Sequence, residues 1–303
     1  MLPEILDSLH PCDGGVYVDG TFGAGGYSAA ILEAADCVVI AIDRDPAAEE
    51  RAARLQEKYG ERLVFLQGCF GDVQRLLKNA GYDQVDGFVL DLGVSSFQID
   101  QAERGFSFKA DGPLDMRMGG EGKSAADIVN GYDERELANI IYMYGDERRS
   151  RQIAKRIVEQ RAENPFTRTE ELAELVRAVV PKSHKDKIDP ATRTFQALRI
   201  AVNDELGELE RALEASEKIL KAGGRMVVVS FHSLEDRMVK DFFREKSGRA
   251  AHGSRYLPEQ SSKADIVFDL PQTKALKPSD KETQENSRSR SARLRYAVKA
   301  GAA

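Results

Sequence analysis

The chain has 303 residues, of which 42% are hydrophobic and 31% charged, a composition that excludes a disordered or fibrous protein. It contains no apolar run of membrane-spanning length, no secretory signal and only three widely spaced cysteines, so we predict a cytoplasmic protein. The net charge of −6 is unevenly distributed: 148–199 carries 13 Lys and Arg against 7 Asp and Glu, and 286–303 has five basic residues and no acid. Such stretches are either solvated helix faces or a phosphate-binding surface.

The first hundred residues alternate short apolar strands with helices. Strands are predicted at 16–18, 38–42, 63–66 and 87–90, and helices at 28–32, 47–59 and 73–78. Apolar strands that are each followed by a helix are typical of a buried parallel sheet. Right-handed connections between them produce a doubly wound α/β domain.

After about residue 100 the pattern becomes helical. Helices are predicted at 134–144, 149–161 and 169–179, then a long helix at 202–221 that ends at Gly223 and Gly224. Alternation returns with a fifth strand at 226–230, a helix at 233–245, an edge strand at 264–268 and a last strand at 293–298; the rest of 247–290 is predicted to be loop. We therefore expect an α/β domain formed by 1–100 and 200–303, interrupted between its fourth and fifth strands by a mainly helical insertion, 101–199.

A glycine-rich loop, 19–26, lies where the first strand turns into the first helix of the α/β pattern. Glycines there allow close approach of a ligand to the backbone, and the helix N-terminus favours polar or negative groups. Asp43, at the end of the second strand, can accept hydrogen bonds from both ribose hydroxyls. The combination indicates a cofactor that contains a nucleoside, with a plain tight turn as the alternative.

Two cofactor classes fit this loop. The dinucleotide pattern G-x-G-x-x-G is broken, because Ser28 occupies its sixth position. Asp19 would repel a pyrophosphate, whereas it suits the amino group and sulfonium of S-adenosylmethionine. Phe70, after the third strand, is placed to cover an adenine face. We therefore favour S-adenosylmethionine over NAD. No phosphate-binding P-loop and no metal-ligand spacing occurs, so no metal is predicted.

Methyl transfer from a sulfonium requires an aligned, desolvated nucleophile. None of the cysteines follows the fourth strand, which disfavours a covalent route to a ring carbon and leaves a nitrogen or oxygen acceptor. Asp91, which ends that strand, and Ser95 could accept the hydrogens of an exocyclic amine, and His232, after the fifth strand, could orient a base or relay a proton. The alternative is that Ser95 and Ser96 only cap the next turn, and that the turn at His232 only caps the helix that begins at 233.

Eight motifs occur in order along the chain: 19–28, 41–46, 90–96, 103–108, 111–118, 190–197, 231–237 and 287–295. With these motifs the chain resembles the bacterial MraW/RsmH family over nearly its whole length. The resemblance implies a class I, Rossmann-like methyltransferase fold with a helical insertion. It also implies methylation of the N4 atom of a cytidine in 16S ribosomal RNA, near the decoding site, with S-adenosylmethionine as the donor.

The resemblance assigns the cofactor contacts to Gly25, Gly26, Tyr27, Asp43, Phe70, Asp91 and Gln98. Three features depart from the family's pattern. Tyr27 stands where the family usually has His, and Phe97 stands where Pro is common. The family's usual lead-in before the first helix, a His and a few apolar residues, is missing, which puts any contact from that segment in doubt.

Arginines and phenylalanines that follow the crevice suit a flipped RNA base, held by stacking and by phosphate contacts. The candidates are Arg104, Phe106, Phe108, Arg117 and Arg193, together with Arg288, Arg290 and Arg293 near the C-terminus. For each phenylalanine the alternative is a place in the core. The expected partner is 16S ribosomal RNA within the small subunit, with no membrane, and a homo-oligomer is left open.

Two other functions remain open from the sequence. A catalytically silent RNA-binding or ribosome-assembly factor would bind RNA and cofactor without transferring a methyl group. An NAD-dependent oxidoreductase would bind a nicotinamide cofactor and not S-adenosylmethionine.

Overall fold

The computed structural model describes residues 1–181, 188–249 and 266–301. Its strands are β1 (Val16–Asp19), β2 (Val38–Asp43), β3 (Leu63–Gln67), β4 (Val85–Asp91), β5 (Leu220–Ser230), β6 (Phe268–Asp269) and β7 (Arg293–Lys299). Its helices are α1 (Leu2–Leu9), α2 (Gly26–Ala34), α3 (Ala48–Tyr59), α4 (Val73–Asn79), α5 (Ser96–Asp100), α6 (Ala125–Gly131), α7 (Glu134–Gly145), α8 (Ser150–Arg161), α9 (Thr169–Val179), α10 (Ala191–Asn203), α11 (Glu205–Ile219), α12 (Ser233–Lys246) and α13 (Asp280–Glu285). None of these helices is both long and apolar enough to span a bilayer.

The chain divides into two compact units, which are described separately. Unit 1 comprises Met1–Gly93 and Leu206–Ala303, and unit 2 comprises Val94–Glu205. The predicted insertion, 101–199, falls within unit 2.

Unit 1 is built around one seven-stranded sheet with the order β3-β2-β1-β4-β5-β7-β6. The first five strands are parallel, and β7 runs antiparallel to both β5 and β6. Successive strand residues point to opposite sides of the sheet, and both sides are buried. Val18, Ile40 and Phe88 belong to one core cluster, and Tyr17, Val39 and Val89 belong to the other. The predicted doubly wound α/β fold is confirmed.

Unit 2 is helical in its described part and has its own core. Apolar residues of α6 to α10, including Ile128, Ile141, Ile157, Val176 and Leu198, form one buried cluster. Polar caps fix where these helices begin. Ser124 and Asp127 form a reciprocal capping box at α6, and Asp133 and Glu136 form another at α7.

The predicted helix 202–221 was wrong at both ends. Asp204 has a left-handed backbone, with φ of 50°, and therefore separates α10 from α11. The chain enters β5 at Leu220, so Gly223 and Gly224 lie inside an irregular part of that strand and do not cap a helix.

Helices α1, α5, α6 and α10 were not predicted. The segment predicted as loop, 247–290, contains α13, which begins with the Ser279 side chain accepting a hydrogen bond from the Glu282 amide. Of the predicted edge strand 264–268, only Phe268 lies in a strand, β6, which continues to Asp269. Ala264 and Asp265 lie outside the described residues.

Candidate functional site

Three acids end neighbouring strands of unit 1. Asp19 ends β1, Asp43 ends β2 and Asp91 ends β4. The three strands are adjacent and parallel, so these carboxyls meet at one edge of the sheet. The strand order reverses at β1, where chain connections leave in opposite directions and a crevice opens.

The glycine loop turns from β1 into α2 beside this crevice. Gly25 precedes α2 with φ of 78°, a conformation that favours glycine, and a Cβ there would lie 2.8 Å from the Phe22 ring. Gly26 is different, because a Cβ added to it would meet no atom of the described residues within 4 Å. The loop is therefore closed on its Phe22 side and open at Gly26, which leaves room for a ligand at the N-terminus of α2.

Asp43 is tied to the loop by its carboxylate. Its Oδ2 atom accepts a hydrogen bond from the Gly23 amide at 2.7 Å, and its Oδ1 atom accepts one from the Asp45 amide at 2.8 Å. Burial raises the pKa of Asp43, although these two amides act in the opposite direction. A carboxylate has about four lone-pair sites, so each oxygen retains acceptor capacity for a ribose hydroxyl.

Asp19 is fully buried and serves the loop internally. Its carboxylate accepts hydrogen bonds from the Ser28 hydroxyl at 2.7 Å and from the Thr21 amide at 3.2 Å. Burial raises the pKa of Asp19 to about 6, against the effect of these donors. A buried acid of this kind favours a cation in the adjacent crevice, because the cation would stabilise its charged form.

Asp91 is the acid with the least satisfied carboxyl group. Its Oδ1 atom is buried and has no hydrogen-bond partner among the residues that the structure describes. Burial raises the pKa of Asp91 to about 7; the Tyr27 hydroxyl, hydrogen-bonded to this carboxyl, lowers it, and the charges of Asp19 and Glu235 raise it further. Burial also raises the pKa of Tyr27, so this hydroxyl remains protonated and donates. An unpartnered buried acceptor is costly for the fold, and a ligand that donates to it recovers that cost.

Phe70 lies next to the glycine loop. It begins the short 3₁₀ helix Phe70–Asp72 after β3 and is half-buried. A Cβ added to Gly20 would lie 3.2 Å from the Cβ of Phe70, which shows how closely the ring's stem approaches the loop. Phe70 also packs against one core cluster of unit 1, and its adenine-covering role stays a prediction.

His232 caps α12 and is held by Glu235. The Nδ1 atom accepts a hydrogen bond from the Glu235 amide at 3.4 Å, and Nε2 lies 3.0 Å from Glu235 Oε1, without hydrogen-bond alignment. Glu235 Oε2 in turn accepts from the amides of Phe231 at 2.8 Å and His232 at 3.3 Å. The turn thus forms a capping box with His232 at the N-cap, directly before α12 begins at Ser233.

Ser95 and Gln98 belong to unit 2 and cap each other at the start of α5. The Ser95 hydroxyl accepts from the Gln98 amide at 3.3 Å, and the Gln98 side chain accepts from the Ser95 amide at 3.0 Å. This arrangement gives both side chains a structural task. Their predicted roles in catalysis and cofactor binding stay predictions.

The predicted RNA-binding residues of unit 2 have partners within that unit. Arg104 donates to the carbonyl oxygens of Arg117 and Met118, at 3.2 and 2.9 Å. Arg117 forms a two-pronged ion pair with Asp115, at 2.9 and 2.6 Å.

The two predicted stacking rings and the last arginine of this set are also engaged. Phe106 and Phe108 both pack against the core of unit 2, and Phe108 meets Phe195 edge-to-face. Arg193 is exposed and donates to the Asp146 carbonyl at 3.2 Å.

The three C-terminal arginines lie in unit 1. Arg288 and Arg290 are exposed on the short 3₁₀ helix Ser287–Ser291, and Arg293 begins β7 and is half-buried. Because β7 is paired with β5, these arginines are attached to the sheet and not to a free tail.

Thr21 is a site residue that sequence reasoning missed. Its hydroxyl accepts a hydrogen bond from the Asp91 amide at 2.7 Å, so it links the glycine loop to the end of β4. A threonine two residues after a strand-ending acid is the available signal. Its partner lies 70 residues further along the chain, which spacing alone does not reveal.

Comparisons with known proteins identify the family of this chain. The family model described as "MraW methylase family" matches residues 1–300. A protein of Rhodospirillum rubrum named ribosomal RNA small subunit methyltransferase H is 60% identical over 97% of this chain and 91% of its own length. Proteins of the same name from Parvibaculum lavamentivorans and Paramagnetospirillum magneticum are 56% and 58% identical over the whole chain, covering 89% and 95% of their own lengths. The chain therefore belongs to the MraW methylase family, as its motifs predicted.

Proposed function

We propose that this protein transfers a methyl group from S-adenosylmethionine to the exocyclic N4 atom of a cytidine in 16S ribosomal RNA, near the decoding site, within the small ribosomal subunit. The family is one of methylases, and S-adenosylmethionine is the methyl donor predicted from the sequence and confirmed by membership. The relatives' shared name supports the ribosomal RNA of the small subunit as substrate. The choice of N4 and the position near the decoding site come from the motif resemblance.

The observation that carries the proposal is the buried, unpartnered Oδ1 atom of Asp91 at the end of β4. An exocyclic amine is a poor nucleophile, because its lone pair is delocalised into the ring. A carboxylate that accepts one of its N–H bonds localises the lone pair and lies where the displaced proton can be taken up. A pKa of about 7 suits this task, since the group can hold or release a proton near neutral pH.

The residues at the crevice fit S-adenosylmethionine. The unpartnered Asp91 oxygen and the buried Asp19 suit a ligand with a positive sulfonium and amino group, and Asp43 retains acceptors for a ribose. The opening at Gly26 leaves room for the ligand beside the start of α2. Bound there, the cofactor supplies an electrophilic methyl group; Asp43 orients it, and Phe70 covers its adenine.

The roles of the remaining candidates follow from their contacts. Tyr27 donates to Asp91 and so orients its carboxyl toward the acceptor amine. Thr21 holds the backbone of Asp91 by accepting a hydrogen bond from its amide. His232 and Glu235 hold the turn after β5, where His232 serves to position the base.

Unit 2 offers a surface that suits single-stranded RNA. Tyr142 and Met143 of α7 are more than half exposed, at 57% and 59%. Arg148 and Arg151 are exposed at the start of α8, which packs against α7. Exposed aromatic and basic side chains in one region can stack bases and neutralise phosphates, which supports a substrate-recognition role for unit 2.

The test is a transfer assay with tritiated S-adenosylmethionine on small subunits from a strain that lacks this protein. We expect label in N4-methylcytidine after digestion and nucleoside mass analysis. Subunits from the parent strain are the control and should accept little label, because their site is already methylated. Label in another nucleoside would overturn the choice of N4. Cofactor binding without any transfer would favour the silent assembly factor, and nicotinamide binding would favour the oxidoreductase.

A further inference from the structure

A basic recess lies on unit 1 away from the three strand-end acids. It has a volume of about 330 Å³ and is formed by the second half of α12, the segment after β6, and β7. Its charged lining residues are Lys240, Arg244, Arg249 and Arg295, and within the described part of the chain no acid lines it. The recess shares no residue with the crevice that holds Asp19, Asp43 and Asp91. From this lining we propose that the recess binds one nucleotide of the RNA substrate, phosphate and base together.

Two of the four cations are balanced and two are not. Arg295 forms a two-pronged ion pair with Asp236, at 2.7 and 3.2 Å, and donates to the Thr273 carbonyl at 3.1 Å. Lys240 lies 3.5 Å from Asp241. Arg244 and Arg249 are both exposed, and neither side chain has an acidic partner within the described residues. The recess therefore carries two positive charges in excess, which suits a phosphodiester.

The backbone brings the two unbalanced arginines together. After α12 ends, Gly248 turns the chain with φ of 68°, and the Arg249 amide donates to the Arg244 carbonyl at 2.9 Å. The C-terminal end of α12 contributes a partial negative charge of about half a unit, which the excess of two arginine charges outweighs. Arginine is suited to phosphate because its planar fork donates two parallel hydrogen bonds.

The other walls suit a nucleobase. Phe243 is almost fully buried and forms an apolar floor, and Tyr296 is half-buried on β7. Base stacking on an aromatic ring tolerates any base, whereas the phosphate fixes the position along the strand. A volume of this size is at the lower end of the range for small-molecule sites, which is large enough for one nucleotide.

The identity of the ligand rests on the proposed function, because an RNA methyltransferase must hold its substrate beyond the reacting base. A contact on this edge of unit 1 would raise the affinity for RNA and leave the rate of the methyl-transfer step unchanged. The expected signature of such a contact is a higher KM for RNA with an unchanged kcat.

The first experiment compares wild type with the double variant Arg244→Ala/Arg249→Ala. Binding to a transcript of 16S ribosomal RNA is measured at several salt concentrations. Loss of the one single-strand phosphate contact that the two arginines share should lower the slope of log K against log salt by about 0.7. The KM for small subunits should rise roughly tenfold at constant kcat. The matched control is Arg54→Ala/Arg75→Ala, which removes two exposed arginines elsewhere on unit 1 and should leave the slope and KM unchanged.

The second experiment locates the RNA directly. The same transcript with 4-thiouridine is crosslinked to the full chain, and crosslinked peptides are identified by mass spectrometry. A crosslink at Tyr296 that is lost in the Arg244→Ala/Arg249→Ala variant supports the recess. A wild-type salt slope in that variant, or crosslinks that avoid Phe243 and Tyr296, overturns it. Crosslinking does not require turnover, so a failure of the proposed methyl transfer is seen separately in the tritium assay.

Discussion

Two strand-end aspartates of unit 1 and two aspartates of unit 2, Asp111 and Asp115, have pKa values that are shifted in opposite directions. Burial raises the pKa of Asp19 and Asp91, so folding makes their charged forms unfavourable. In unit 2, Arg168 lowers the pKa of Asp111; at Asp115 burial opposes the change, but hydrogen bonds from Arg117 lower the pKa overall. The raised pKa values in unit 1 mean that a ligand able to stabilise the charged carboxylates gains binding energy there. The lowered pKa values in unit 2 mean that the carboxylates stabilise the fold.

Replacing Asp91 should break the function of unit 1 without breaking its fold. We expect Asp91→Asn to lower kcat by about 100- to 1000-fold, because the amide is a much weaker acceptor for the amine hydrogen and cannot take up its proton. Single-turnover methyl transfer at saturating cofactor measures this. Thermal unfolding is the control, and the variant should be at least as stable as wild type. Full turnover in Asp91→Asn would remove the carboxyl from the chemistry.

Replacing Asp43 should weaken cofactor binding and leave the acceptor site intact. Loss of charge-assisted hydrogen bonds to a ribose costs about 1.5–3 kcal/mol, which corresponds to roughly a 10- to 100-fold higher Kd for Asp43→Ala. Isothermal titration with S-adenosylmethionine tests this. Asp36→Ala, which removes an exposed acid from the same unit, is the matched control and should bind normally. An unchanged Kd in Asp43→Ala would show that the ribose lies elsewhere.

The pH dependence of stability should differ between the two units. Asp91 has a folded pKa of about 7 and an unfolded value of about 3.9, so the folded state binds more protons between these values. Its contribution to the free energy of unfolding therefore falls as pH rises from about 4 to about 7. Denaturant unfolding should show a flatter pH profile for Asp91→Asn than for wild type. Asp111 acts with the opposite sign, because its lowered pKa gives stability that is lost on acidification.

The smallest effect is expected at the ion pair of Asp115 and Arg117. Both side chains are about one-third exposed, so Arg117→Met should cost only about 1 kcal/mol of unfolding free energy. If the residue is purely structural, the KM for RNA should not change. A higher KM with normal stability would instead support the RNA contact that the sequence predicted for Arg117.

The parallel part of the sheet of unit 1 was predictable because apolar runs alternate with helical stretches, and β1, β2 and β4 each end at an aspartate. Asp43 and Asp91 were identified for that reason. The Thr21 contact with Asp91 and the fold of His232 onto Glu235 were not predictable, because they depend on side-chain directions and not on spacing. The break at Asp204 was missed because a left-handed Asp is a local backbone choice within an otherwise helical pattern.

Gly26 also has a consequence for protein engineering. It begins α2 without a positive φ, and no atom of 1–181, 188–249 or 266–301 lies within 4 Å of where a Cβ would be. Alanine at such a position typically adds about 0.4–1 kcal/mol of stability by restricting the unfolded chain. We expect Gly26→Ala to melt at a higher temperature and yet to accept S-adenosylmethionine less well than wild type. An S-adenosylmethionine analogue that is smaller on the side facing α2 should then be used selectively by the variant. Gly26 is therefore a position at which the enzyme could be engineered to accept a methyl donor that other methyltransferases do not use.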